Sequence, residues 1–141
     1  MLENIHNCIT YLPLAGEIDP CIIPDLRDHV FKDIYRLPSG SDTSPAEIAQ
    51  EAINQFSKKS VCILIPGTRF DRSGTRHGRG KGWFDRFLSH VPPQWLRIGI
   101  TENHRLSSTP LIRKLWDQPV DWIICKQKDS WETIETHARS V

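Results

Sequence analysis

The sequence predicts an α/β fold, a three-layer α/β/α sandwich around a mostly parallel sheet of about five strands. Two observations lead there. Short apolar segments alternate with amphipathic segments of helical period along the chain. One short segment, VCILI at 61–65, is apolar at every position, as a strand covered on both faces should be.

The elements are expected in this order. CITYLPL (Cys8–Leu14) reads as the first strand, followed by a short helix from Pro24 in PDLRDHVF. DIYRL (Asp33–Leu37) is the second strand. SPAEIAQEAINQF is the best helix. Ser44 caps it, Glu47 stands at the capping-box position, Pro45 opens its first turn, and Ile48, Ala52, Ile53 and Phe56 make one apolar face. VCILI (Val61–Ile65) is the third strand. GWFDRFLSHV carries Phe84, Phe87, Leu88 and Val91 at helical spacing and is stopped by Pro92-Pro93. WLRIGI (Trp95–Ile100) is the fourth strand. TPLIRKLW reads as a helix capped by Thr109, with Leu111, Ile112, Leu115 and Trp116 apolar. VDWIIC (Val120–Cys125) is the fifth strand, and a weak helix is expected after Asp129.

At 141 residues the chain fits one domain, 1–141, and 38% hydrophobic with 25% charged residues is ordinary for a folded soluble protein. No window approaches a membrane span, and the N-terminus lacks the basic start and apolar core of a secretory signal. Cys8, Cys21, Cys62 and Cys125 are widely spaced without a CxxC, which favours free thiols in a reducing cytoplasm. The six histidines show no metal-ligand spacing.

The net charge of +1 is unevenly spread. Between Pro66 and Arg86, Arg69, Arg72, Arg76, Arg79, Lys81 and Arg86 oppose only Asp71 and Asp85, so this segment carries +4 and the rest −3. A local anion site fits that distribution better than a broad nucleic-acid surface. The segment leaves the end of the central strand, where ligands of open parallel sheets bind. It is also too long for a plain connection.

Two familiar phosphate loops fail here. At Gly80-Lys81 a P-loop would require glycine in place of Thr75 and a hydroxyl in place of Gly82. Neither Gly78-x-Gly80 nor Gly80-x-Gly82 finds the third glycine of a dinucleotide fingerprint. The physics nevertheless favours an anion. Gly78, Gly80 and Gly82 permit a nest of N–H groups feeding a helix N-terminus, Lys81 supplies a mobile charge, and Arg76 or Arg79 supplies a planar fork. A solvated basic loop and an RNA-binding loop are the alternatives. Asp85 suits Mg²⁺ beside phosphates or merely favours the helix dipole. Trp83 stacks on a planar ligand or packs the helix, Phe84 reads as core, and His77 touches phosphate or faces solvent.

LIPGTRFDRSGTRHGRGKGWFDRFL resembles the most diagnostic block of the 5-formyltetrahydrofolate cyclo-ligase (5,10-methenyltetrahydrofolate synthetase) family, through Pro66, Gly67, Phe70, Asp71, Gly74, Arg76, Gly78, Gly80, Gly82, Asp85 and Arg86. YLPLAGEIDP (11–20) and DQPVDWII (117–124) resemble the family's earlier acidic segment and its terminal strand. The resemblance implies a three-layer α/β fold and an enzyme using ATP and Mg²⁺. In that family's scheme ATP activates the formyl oxygen of 5-formyltetrahydrofolate, the second folate nitrogen closes the ring, and phosphate leaves. It implies that Arg76, Gly78, Arg79, Gly80, Lys81 and Gly82 surround the phosphates, with Arg76, Lys81 and Asp85 catalytic. It further implies that Asp85 and Asp121 approach Mg²⁺, and that Glu17 and Trp83 lie near the folate. A non-catalytic homologue that binds a nucleotide or another phosphate ligand is the alternative. The chain departs from the family in having Trp83-Phe84 at the paired tyrosines, and it is expected to lack the family's N-terminal helical region. That missing layer would favour a homodimer; neither a membrane nor nucleic acid is expected as a partner.

Overall fold

The computed structural model describes residues 1–38 and 43–139. In chain order the strands are β1 (Asn7–Thr10), β2 (Asp33–Arg36), β3 (Val61–Ile65), β4 (Arg69–Asp71), β5 (Arg76–His77), β6 (Leu96–Glu102), β7 (Leu106–Ser107), β8 (Trp122–Lys126) and β9 (Trp131–Glu135). The helices are α1 (Pro24–Arg27), α2 (Pro45–Phe56) and α3 (Trp83–His90). Among the described residues six strands form the main sheet, ordered β2-β1-β3-β6-β8-β9, and three form a small one, ordered β5-β4-β7. In the main sheet every pair is parallel except β8 with β9. The expected mostly parallel sandwich is therefore found, with one strand beyond the five anticipated.

Two cores cover the two faces of the sheet. Ile9, Ile63, Ile65 and Ile123 point to the side where Ile48, Ala52 and Phe56 of α2 and Phe87 and Leu88 of α3 pack. Cys8, Cys62, Leu64, Ile98 and Ile124 point to the other, beneath Ile18, Ile23 and Leu26 around α1. This division follows from the period-2 alternation of strand side chains, and it explains why VCILI is apolar throughout. All five of its residues are buried. Helix α2 begins as its sequence specifies, with Ser44 Oγ accepting from the Glu47 N–H at 3.3 Å and Pro45 in the first turn. All four cysteines are free; Cys8, Cys62 and Cys125 are buried and Cys21 is exposed. Among the described residues, no helix is long and apolar enough to cross a membrane.

Two helical expectations are overturned. Residues 109–116 contain no helix. Their backbone is engaged elsewhere: Leu111 N–H donates to Asp71 Oδ2 at 2.7 Å and Ile112 O accepts from His77 Nε2 at 2.9 Å. The apolar stripe that suggested a helix is not buried, since Ile112, Leu115 and Trp116 are exposed. Without a surface to pack on, the stripe supplies no drive to a helix. Beyond Asp129 the chain forms β9, antiparallel to β8, with Ile134 opposite Ile123. Trp131, Thr133 and Ile134 are residues that suit a half-buried pleated edge.

The sheet order fixes where a ligand can sit. From β1 the chain goes to β2 on one side, while β3, β6 and β8 follow on the other. Connections thus diverge between β1 and β3, and the crevice at their carboxyl ends is the topological switch point where open α/β sheets bind ligands. The segments leaving those ends carry Glu17 after β1 and residues 66–82 after β3.

Candidate functional site at the carboxyl end of the sheet

The segment after β3 is a built structure rather than a solvated loop. It folds back as β4 and β5, and Asp71 holds the turn between them. Its Oδ1 accepts from Ser73 N–H (3.0 Å), Ser73 Oγ–H (2.7 Å) and Thr75 N–H (3.0 Å), while Oδ2 accepts from Leu111 N–H (2.7 Å). Burial would raise the pKa of this carboxyl, but these bonds outweigh it and hold the Asp71 pKa below its ordinary value. Thr68 Oγ1 adds bonds to the carbonyls of His77 (3.0 Å) and Gly78 (3.2 Å). Phe70 is fully buried and packs so closely over Gly99 that a Cβ there would stand 2.4 Å from its ring. These contacts fix the hairpin that carries Arg76, and a preorganised charge is what an electrostatic site needs.

Arg76 is the centre of the arrangement. It leaves β5 with only 7% of its surface exposed. Its Nε donates to Pro66 O at 2.6 Å, and its guanidinium lies 5.0 Å from the Phe84 ring centroid. Both terminal nitrogens lack a hydrogen-bond partner among the described residues. Burial pulls its proton affinity down to about 10, against the opposing fields of Asp85, Glu17 and Asp117. The group remains charged at neutral pH. A charged fork this deep, whose outer nitrogens have no protein partner among the described residues, is suited to an anionic ligand, since the three carboxylates near it act only at a distance.

The glycines complete the cradle. Gly80 (φ 94°) and Gly82 (φ 67°) occupy left-handed backbone with open space where a Cβ would be, and Gly82 caps the start of α3. Gly78 is needed for a different reason: a Cβ there would lie 2.8 Å from Arg76 Nη2. Lys81 is exposed, with its side chain free of partners among the described residues. Arg79 is exposed too and reaches back across the crevice, its Nε 3.4 Å from Glu17 Oε2 and its Nη2 3.3 Å from Ala15 O.

Glu17 faces this loop from the other side of the crevice. Tyr11, buried at the end of β1, donates its hydroxyl to Ile18 O at 2.7 Å, and Leu14 N–H donates to Glu17 Oε1 at 2.8 Å. These bonds hold the turn so that the Glu17 side chain is only 9% exposed.

The two carboxylates expected to meet do not. Asp85 sits in the first turn of α3 and accepts from Gln118 N–H at 3.0 Å. Asp121 lies at the amino end of β8, where Arg139 clamps it at 2.7 and 2.8 Å and the Arg97 N–H donates to it at 2.9 Å. Its carboxylate is thus committed to structure. The residue beside Asp85 is instead Asp117, which precedes Gln118 and accepts from Lys114 N–H at 2.8 Å. Each of these carboxylates keeps one oxygen without a hydrogen bond among the described residues. Two carboxylates beside this basic glycine loop would meet the needs of Mg²⁺, which takes one or two together with phosphate oxygens, if a phosphate ligand bound here. Among the described residues no cluster of three or more metal-ligating side chains occurs, so a metal here would need a ligand's oxygens. The sequence signal for Asp117 was its place at the head of DQPVDWII, to which spacing alone gave no partner.

The aromatic pair has structural tasks. Trp83 stacks on Phe87 at 5.3 Å between centroids, and its Nε1 donates to Thr43 O at 3.0 Å. Phe84 is half-buried between the two cores and under Arg76. His77 donates to Ile112 O at 2.9 Å and thereby straps residues 111–117 to the hairpin.

Comparison with known proteins shows the family and the fold. The model of the 5-formyltetrahydrofolate cyclo-ligase family matches residues 14–126. The chain is 35% identical over 125 residues to the 5-formyltetrahydrofolate cyclo-ligase of Mycoplasma pneumoniae, covering 88% of this chain and 70% of that protein. To that of Mycoplasma genitalium it is 27% identical over 125 residues, covering 86% and 73%. Among solved structures, the 5,10-methenyltetrahydrofolate synthetase of M. pneumoniae superposes with a TM-score of 0.59 at 22% identity, over 84% of this chain and 72% of that one. The NMR structure of the Aquifex aeolicus 5,10-methenyltetrahydrofolate synthetase gives 0.62 at 21% identity, over 99% and 76%. At these identities the two structures speak for the fold.

Proposed function

The chain belongs to the 5-formyltetrahydrofolate cyclo-ligase family, and we propose that it converts 5-formyltetrahydrofolate to 5,10-methenyltetrahydrofolate with ATP and Mg²⁺. The observation that carries this reading is the Arg76 side chain, largely buried and without a partner at its two terminal nitrogens among the described residues, at the base of a glycine cradle on the switch point of the sheet. Such a fork pairs with phosphate oxygens in two parallel charge-assisted bonds. The backbone N–H groups from Gly78 to Gly82 and the N-terminus of α3 add fixed donors. Lys81, free to move, follows charge as it shifts during transfer. Asp85 and Asp117 would hold the metal. Bound ATP supplies the phosphoryl group, and Mg²⁺ neutralises charge on its oxygens. Glu17, fixed across the crevice, is placed to take the folate. Preorganised donors of this kind lower a phosphoryl-transfer barrier without having to reorganise during the reaction.

A second reading is supported by Trp83 and Phe84. Both side chains are engaged in packing and neither carries a phenolic hydroxyl, which suits a homologue that binds nucleotide without turning over folate. One experiment separates the two readings. Folded chain is mixed with 5-formyltetrahydrofolate, ATP and Mg²⁺, and the near-ultraviolet absorbance of the methenyl product is followed. Product that requires both ATP and Mg²⁺ supports the enzyme. ATP binding without product supports the second reading and refutes the first.

A further inference from the structure

Two buried polar atoms near Glu17 have no hydrogen-bond partner among the described residues, Thr101 Oγ1 and Arg105 Nε. Native proteins pair nearly all such atoms, so an unpaired set in one place asks for a ligand. Both residues line a single recess of about 10 Å³. Glu17 and the Pro66-Gly67 start of the phosphate loop line it as well, so it opens on the same crevice. Thr101 is only 3% exposed, and the Gly16 turn packs on Arg105, where a Cβ would stand 3.3 Å from Nη2.

Size and chemistry define what fits. A recess of this volume takes one oxygen-sized atom, not a ring. Arg105 Nε–H can only donate, and the Thr101 hydroxyl can donate or accept. Together they suit an accepting oxygen. Glu17 at the edge of the recess can only accept, and its two oxygens carry one bond of 2.8 Å and one long bond of 3.4 Å, which leaves lone pairs open. The matching ligand edge has an acceptor oxygen beside an N–H, which is a lactam.

We propose that Arg105, Thr101 and Glu17 form a subsite for a lactam edge, the ring keto oxygen entering the recess and the neighbouring ring N–H resting on Glu17. This rests on the folate reading above, because the fused ring of 5-formyltetrahydrofolate carries such an edge. An analogue with an amino group in place of the keto oxygen would set its N–H groups against the donors of Arg105. Sites built to hydrogen-bond one group reject its mismatch strongly, because their own polar atoms are left unpaired.

The test measures equilibrium affinity of the full chain, without ATP, for 5-formyltetrahydrofolate and for that amino analogue, by quenching of tryptophan fluorescence. Wild type should prefer the keto ligand by about tenfold or more. Arg105→Met and Thr101→Val should each narrow the preference to about threefold or less. Thr101→Val keeps the branched shape and retains the test if the arginine variant does not fold. Equal affinity for the two ligands in wild type overturns the proposal, and so does a preference unchanged in the folded variants, which would assign the recess to a bound water. Failure of wild type to bind either ligand overturns the folate reading itself, and the subsite with it.

Discussion

Replacing Asp71 by Ala tests whether the proposed phosphate loop is held from outside its own glycines. The change removes the acceptor of four hydrogen bonds at once. Their losses are unequal. Ser73 is exposed, so water takes over its N–H and hydroxyl at little cost. Thr75 is buried, and leaving its N–H unpaired costs about 1–3 kcal/mol. The half-buried Leu111 N–H loses a charge-assisted bond of 2.7 Å, adding about 1–2 kcal/mol. Destabilisation of about 3 kcal/mol is expected, or about 10 °C in melting temperature for a chain of this size. Asp71→Asn should cost less, because an amide oxygen can still accept from Ser73 and Thr75, while its NH₂ faces the Leu111 N–H. Thermal melts followed by circular dichroism, with urea titrations beside them, give both numbers. A melting temperature for Asp71→Ala within about 2 °C of wild type would refute the reasoning.

Other outcomes follow from the same geometry. Asp71 has a lowered pKa in the folded chain, so its contribution is full above about pH 4, the unfolded value, and is lost as pH falls through the folded value; the melting difference between wild type and Asp71→Asn should shrink below about pH 4. Gly99→Ala places a methyl 2.4 Å from the fully buried Phe70 ring and should destabilise by about 2–3 kcal/mol, read from urea midpoints. Gly78→Ala pushes on the far end of a side chain, Arg76 Nη2 at 2.8 Å, so calorimetry should find weakened Mg-ATP binding with a melting temperature nearly unchanged. Tyr11→Phe frees Ile18 O and the Glu17 turn, costing about 1–2 kcal/mol by thermal melt and weakening folate affinity more than ATP affinity.

The fold was legible where burial and local chemistry agree. Val61–Ile65 is apolar because α2 and α3 lie on one side and α1 on the other. Helix α2 announced its start through Ser44 and Pro45, and its face through residues that do pack. At 109–116 the pattern misled, because periodicity registers a possible face and not whether anything covers it. Leu115 is fully exposed, and the backbone is spent on Asp71 and His77 instead. Strands β4, β5 and β7 hold three residues or fewer, too short for any alternation to show.

The candidate site was legible in part for the same reason. Loop position and glycine spacing pointed to Arg76, Gly78, Gly80 and Gly82, which are local to one segment. Pairing of carboxylates depends on chain segments distant in sequence. Asp121 and Asp117 are four residues apart in one stretch, and only the fold shows that Arg139 takes the first while Gln118 brings the second beside Asp85. Arg105 and Thr101 had no signal in sequence, because what marks them is one buried polar atom each without a partner among the described residues.

Titration calorimetry of Mg-ATP into wild type and Arg76→Met tests the central claim most directly. The methionine keeps the apolar stem against Phe84 but removes the buried fork, so binding should weaken by about tenfold or more in a variant that still melts cooperatively. Affinity equal to wild type in a folded Arg76→Met chain would contradict the assignment of this loop as a phosphate cradle.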